Sequence, residues 1–253
     1  MTSEERKQFD ALEAENRQLQ AAIKDRDRFI RGVVMPYLSD EIMEEVIRQQ
    51  DRIHIGGERR EVTIMFADLR KSTELSEKMD ASGFITMLNH FLGEMIEIIN
   101  SWQGNILSFV GDAIVTVFGA PRENTEAARD AVACAVAMQR RIPAVNEWNA
   151  KEGYPALSMG IGIHTGEAIL GTIGSQTRAK YDMIGRNVNL ASRIEGFTGS
   201  GQILISSETM KAAGDLVVVN TAGEKWVQPK GIHEQVLLHD VVGYGSHRIR
   251  PEV

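Results

Sequence analysis

The chain has 253 residues, which at roughly 150 residues per domain allows one substantial domain with an appendage, or two small ones. Hydrophobic residues make up 43% and charged residues 25%, proportions that exclude wholesale disorder and fibrous classes. Thirty-five acids against 28 bases leave a net charge of −7, the wrong sign for gripping a phosphate backbone, so no nucleic-acid partner is expected. A small anionic ligand would have to be held by local dipoles or metal ions. The single cysteine, Cys134, excludes an intramolecular disulfide framework and a thiolate zinc cluster, as suits a reducing cytosol. No run approaches 18 apolar residues, and MTSEERKQFD lacks a signal-peptide core. The expected location is cytoplasmic, with membrane attachment only through sequence outside this chain.

Residues 1–35 read as a coiled-coil helix. Phe9, Asn16, Ile23 and Ile30 fall at heptad a, and Leu12, Leu19, Arg26 and Val33 at d. A buried Asn at a favours two parallel strands in register. The alternative is a lone amphipathic helix against its own domain, but the seam is narrow and its flanks are charged or polar. Gly32 and Pro36 end the helix. A helical linker over 36–56 follows, capped by Ser39 with Ile42, Met43, Val46 and Ile47 as its stripe, and Gly56-Gly57 marks its end.

From residue 57 to 243 strands and helices alternate. Val62 to Ala67 form a strand ending at Asp68. A helix capped by Asp80 carries Phe84, Met87, Leu88, Phe91, Met95, Ile98, Ile99 and Trp102 as core. Ile106–Val110 and Ala113–Phe118 make a tight hairpin with Asp112 at its tip. An Ala-rich helix spans about Thr125 to Trp148. SMGIGIHTGEAILGTIG reads as a second hairpin, turning around His164-Thr165-Gly166-Glu167. A loop, a helix over about Gly185–Phe197, the strand Gln202–Ile205, a short helix and closing strands complete a βαββαβ order, before a tail over 244–253. The fold class is α+β, a ferredoxin-like sandwich of helices on a mainly antiparallel sheet.

Asp68 and Asp112 end strands inside apolar sequence, IMFAD and FVGDAIVTVF. Buried carboxylates are costly alone, and two about 4 Å apart repel by about 4 kcal/mol at an effective dielectric near 20. If the strands are neighbours, one or two hard divalent cations offer the simplest compensation. The competing reading is that each Asp merely caps a turn. After Asp68, LRKST is a turn whose successive amides suit phosphate oxygens. No P-loop is present, and GIGIHTG fails GxGxxG because Thr165 takes the last glycine position. Asn189 and Arg193 share a helix face one turn apart, an amide and a guanidinium suited to a ribose and a phosphoryl charge, with pairing of Arg193 to a surface acid as the alternative. Lys230 sits in a Pro-Gly turn, where simple solvation is the alternative. His164 and His90 read as structural.

Four ordered motifs, VTIMFADLRKST, FVGDAIVTVFGAP, YDMIGRNVNLASRIE and PKG, resemble the class III nucleotide cyclase catalytic domain, the family of adenylate and guanylate cyclases. RFIRGVVMPYLSDEIMEEVI and LLHDVVGYG are most similar to its bacterial, cyanobacterial-type branch. The resemblance implies a head-to-tail homodimer with two shared active sites. In each, Asp68, Asp112 and the Leu69 carbonyl of one protomer would hold two Mg²⁺ or Mn²⁺ ions, while amides around Lys71, Ser72 and Thr73 cradle the triphosphate. The other protomer would contribute Asn189 to the ribose, Arg193 to the α-phosphoryl charge and Lys230 to the terminal phosphates, with Arg178 a further candidate phosphate contact.

For base choice, the family pattern places Lys or Glu where this chain has Ser108, while Asp182 matches the adenine-type acid. A carboxylate accepts the adenine 6-amino hydrogens and would oppose the guanine 6-oxo group, so ATP and a cyclic AMP product are expected. Ser108 leaves a guanylate or dual-specificity cyclase open, and a silent dimerising relay module is the reading from another class. Family members commonly carry an upstream sensor, so a sensor or regulatory partner outside this chain is also implied.

Overall fold

A computed structural model of the chain describes residues 2–30, 32, 42–43, 55–232 and 234–249. The chain divides into two units, residues 1–50 and 51–253.

In the first unit, α1 (Ser3–Phe29) is one helix of 27 residues. Arg17 and Glu13 pair across one turn of its surface at 2.9 Å. The seam residues Phe9, Leu12, Leu19 and Ile23 are 51–65% exposed, an apolar stripe facing solvent. Val33 and most of the predicted second helix lie outside the described residues, and Ile42 and Met43 from it are helical.

The second unit is built on β1 (Gly56–Leu69), whose run Val62–Met65 is buried on both faces. Gly56 and Gly57, expected to be a linker, instead extend this strand opposite Thr172 and Gly171. Lacking side chains, they admit close passage of the neighbouring strand. After the short α2 (Ser72–Lys78), Asp80 caps α3 (Ala81–Ser101) by accepting from the Gly83 amide at 2.9 Å. Met87, Phe91, Met95 and Ile99, four apart, form the buried stripe of α3. The first expected hairpin is present: β2 (Asn105–Val110) and β3 (Ala113–Phe118) pair with Val110 opposite Ala113. Gly111 turns it with φ 66°, a conformation that favours glycine.

α4 (Ala127–Lys151) packs beside α3. The second expected hairpin is not there. β4 (Met159–Ser175) runs unbroken through His164–Glu167 for 17 residues, and the reversal comes only after Ser175, leading into β5 (Arg178–Ile184), where a loop was expected. The glycines of β4 serve packing rather than turning: a Cβ on Gly166 would stand 2.6 Å from the Asn187 side-chain nitrogen. α5 (Arg186–Glu195), β6 (Ile203–Ser206), α6 (Ser207–Ala213), β7 (Val217–Val227), β8 (Val236–Tyr244) and β9 (His247–Arg248) follow.

The sheet order is β2-β3-β1-β4-β6-β8-β7, with β5 added to β4 and β9 to β8. Among the described residues, only the β4–β6 pairing is parallel. Alternation divides the packing. Ile161, Ile163, Ile203 and Ile205 join the main core with α3 and α4, while Leu204 and Leu238 pack with Leu190 and Ile194 of α5. The expected α+β architecture therefore holds, with α5 against a glycine-rich strip of β4.

Candidate functional site

β1 and β3 are antiparallel, with Ala67 opposite Ile114, so the end of β1 and the turn into β3 meet at one end of the sheet. Asp68 and Asp112 come together there. The Asp68 carboxyl is pushed up to about 6, first by burial and then by the nearby charge of Asp112. The Arg70 guanidinium pulls the other way. Asp112 Oδ2 is buried with no hydrogen-bond partner among the described residues. A buried carboxylate oxygen without a donor, beside a second acid in mutual repulsion, is the arrangement a cation completes. The side-chain donors here are hard oxygens, which suit a hard divalent cation. No cluster of three or more His, Cys, Asp or Glu side chains occurs among the described residues, so an ion here would take further ligands from substrate or water.

Beyond Leu69, Lys71 adopts φ 62°, left-handed for a non-glycine residue, at a cost of roughly 1–3 kcal/mol. That kink turns the chain from β1 into α2. The first-turn amides at Ser72 and Thr73 have no intrahelical acceptor.

A second group gathers on α5. Asn189 and Arg193 line a cavity of about 350 Å³ with Gly231 and Glu234. Gly231 lies close beneath Arg193, since a Cβ there would stand 3.5 Å from the guanidinium. Lys230, in the same turn, is exposed. Glu195, two residues beyond Arg193, lies about 200° further around the helix. It receives a hydrogen bond from Arg70, and Arg70 also donates to the Asp68 carbonyl at 3.3 Å and approaches its carboxylate at 3.5 Å. The acids and the Arg193 guanidinium of one chain thus lie on opposite sides of α5.

Asp182 is on β5 opposite Gly171. Its carboxylate accepts from Lys180 Nζ at 2.8 Å and from the Met183 amide at 2.9 Å. Ser108 is half-buried at a register shift in β2. Arg178 stands at the far tip of β5, opposite Ser175 and roughly 13 Å of strand from Asp182, and is not gathered with Asn189 and Arg193. A larger cavity of about 840 Å³, lined by Arg59, Glu167, Asn187, Glu208 and Trp226 among others, contains none of the expected site residues.

Three residues went unnoticed in the sequence. Arg70 and Glu195 are 125 positions apart, and only the alternating glycines of GIGIHTG hint that α5 lies close. Asn187 is the third. Its amide donates to the Glu167 carbonyl at 2.8 Å, leaving its oxygen to accept from His164 Nε2 at 3.1 Å. His164 Nδ1 then accepts from Ser206 at 2.8 Å. Burial lowers the His164 pKa, and this neutral histidine ties the start of α5 to β4 and β6.

The profile of the Adenylate and Guanylate cyclase catalytic domain matches residues 57–240, and the chain belongs to that family. It is 32% identical over 195 residues to Adenylate cyclase 1 of Rhizobium meliloti (strain 1021), covering 75% of this chain and 29% of that protein. It is 36% identical over 182 residues to Adenylate cyclase of Anabaena cylindrica, covering 69% of this chain and 34% of that protein. The chain thus corresponds to about a third of the length of these relatives. Among solved structures it resembles the guanylyl cyclase Cya2, with a TM-score of 0.73 and 45% identity over 76% of this chain and 96% of that one. It also resembles the adenylyl cyclase CyaB from P. aeruginosa, with a TM-score of 0.71 and 33% identity over 79% of this chain and 100% of that one.

Proposed function

We propose that this domain is an adenylate cyclase, a head-to-tail homodimer converting ATP to 3′,5′-cyclic AMP and pyrophosphate at two sites shared between protomers. The observation that carries the shared site is the opposition on α5: Glu195 faces Arg70 and Asp68, whereas Arg193 faces the Gly231 turn. A nucleotide at the acids of one chain reaches an Arg193 by way of a second copy.

Asp68, Asp112 and the Leu69 carbonyl would hold two divalent cations, Mg²⁺ or Mn²⁺, whose charge would offset that of the triphosphate and make the ribose 3′-hydroxyl a better nucleophile. Amides at Ser72 and Thr73, with Lys71, receive phosphate oxygens. From the second copy, the Asn189 amide orients the ribose and Lys230 pairs with the terminal phosphates. Arg193 of that copy donates to the α-phosphoryl oxygens as charge builds on them. The Asp182 carboxylate accepts the adenine 6-amino hydrogens, and Ser108 supplies either donor or acceptor to the ring. α1 pairs with its copy as a parallel coil and carries input from an upstream sensor or partner. A cytosolic setting accords with the single buried free cysteine, Cys134.

GTP is the competing substrate, left open by Ser108 and favoured by the 45% identity to a guanylyl cyclase. Turnover of ATP and GTP under matched Mn²⁺ or Mg²⁺, with Asp68→Asn as background, decides between them. Faster GTP turnover overturns the assignment of ATP, and no turnover above background returns the chain to a silent relay. Asp68→Asn and Arg193→Ala should each be inactive. Mixed with proven subunit exchange, half the dimers are mixed and each has one intact site of two, so about a quarter of native activity should return. No rescue sinks the shared site.

A further inference from the structure

Arg70 touches both halves of the proposed catalytic apparatus. Its guanidinium donates to Glu195, to the Asp68 carbonyl and to the Thr198 carbonyl at 3.4 Å, and approaches the Asp68 carboxylate. The pair is shielded: the Arg70 side chain is 21% exposed and that of Glu195 13%. A planar fork of donors meets several acceptors at fixed angles, which a flexible ammonium does not. The floor beneath it is rigid. A Cβ on Gly160 would come within 3.1 Å of Arg70 Cζ, and one on Gly162 within 2.5 Å of Glu195 Cα. Asp68 and the last turn of α5 are therefore clamped to each other and to β4.

We infer that Arg70 is a positioning residue that links the two active sites of the dimer, holding Asp68 of one site and, through Glu195, the α5 turn that presents Arg193 to the other. The inference rests on the shared-site reading, in which Asp68 and Arg193 of one protomer serve different nucleotides. A shift of Asp68 in one site then moves Arg193 in its neighbour.

The mixed dimer tests this. With Asp68→Asn in one protomer and Arg193→Ala in the other, the intact site takes its acids from the Arg193→Ala chain and its Arg193 from the Asp68→Asn chain. Arg70→Met added to the Arg193→Ala chain should raise the Mn²⁺ concentration needed for half-maximal activity by about 10–100-fold, as losing a partner of a metal ligand does. Added to the Asp68→Asn chain, it should lower kcat about fivefold or more while leaving the Mn²⁺ requirement unchanged. In the metal-free homodimer, Arg70→Met and Glu195→Gln should each speed amide exchange over residues 193–198. An effect confined to one chain, no effect in either, or unchanged exchange overturns the link. If the parent mixture shows no activity, the shared-site reading has failed, and the link between sites fails with it. Should Arg70→Met not fold, Arg70→Lys and Glu195→Gln are placed in the same two chains and judged by the same outcomes.

Discussion

Gly162 lies so close beneath Glu195 that a Cβ on it would stand 2.5 Å from the Glu195 Cα. The obstacle is backbone, which cannot swing aside as a side-chain tip can. Alanine at 162 should lift the C-terminal end of α5 from the sheet and destabilise the fold by about 1–3 kcal/mol, the usual range for overpacking. Thermal unfolding checks this. An unchanged midpoint would mean that α5 is not seated on β4 as described.

Asp68 yields a pH prediction. Its carboxyl rises from the ordinary 3.8 to about 6 in the folded chain. A folded-state value above the unfolded one means the native protein binds the proton more tightly, so metal-free stability falls as pH climbs through that window and then levels off. Asp68→Asn should therefore raise the melting midpoint at pH 8 and leave it nearly unchanged at pH 4. For the native chain, the midpoint gain on adding Mn²⁺ should be large at pH 8 and shrink as pH drops below about 6. A pH-independent gain would place the ion elsewhere.

The base contact is tested at Asp182. Asp182→Asn replaces one acceptor oxygen with a donor able to serve the guanine 6-oxo group. The ATP-to-GTP ratio of kcat/KM should fall by about tenfold or more, the result of leaving a buried polar contact mismatched. A ratio unmoved by this change would remove Asp182 from base recognition.

The exposed stripe on α1 predicts a role in association. Deleting residues 1–30 should weaken the dimer, so that specific activity falls steeply on dilution while the intact chain holds its activity over the same range. Sedimentation across those concentrations reads the dimer directly. Equal dissociation of the two forms would leave α1 as a lone helix.

Patterns of short reach were readable from residue order. The period of the α3 stripe, the Asp80 cap, the two-residue turn at Gly111-Asp112 and the spacing of Asn189 and Arg193 all depend on neighbours within about one helical turn. The one large misreading followed from the same dependence. GIGIHTGE has the composition of a turn, and nothing local reveals that Gly160, Gly162 and Gly166 are the cleared side of a 17-residue strand.

Residue types and local spacings thus established the α+β class, the first hairpin, the net charge that calls for cations, and the two carboxylates suited to holding them. Tertiary packing supplied the rest: Asp68 meeting Asp112, the buried Asp112 oxygen without a donor, and Arg70 reaching Glu195 across 125 positions. Such contacts form when the sheet and α5 close on each other. Their energies come from burial and geometry shared by distant segments, which no single stretch of chain encodes.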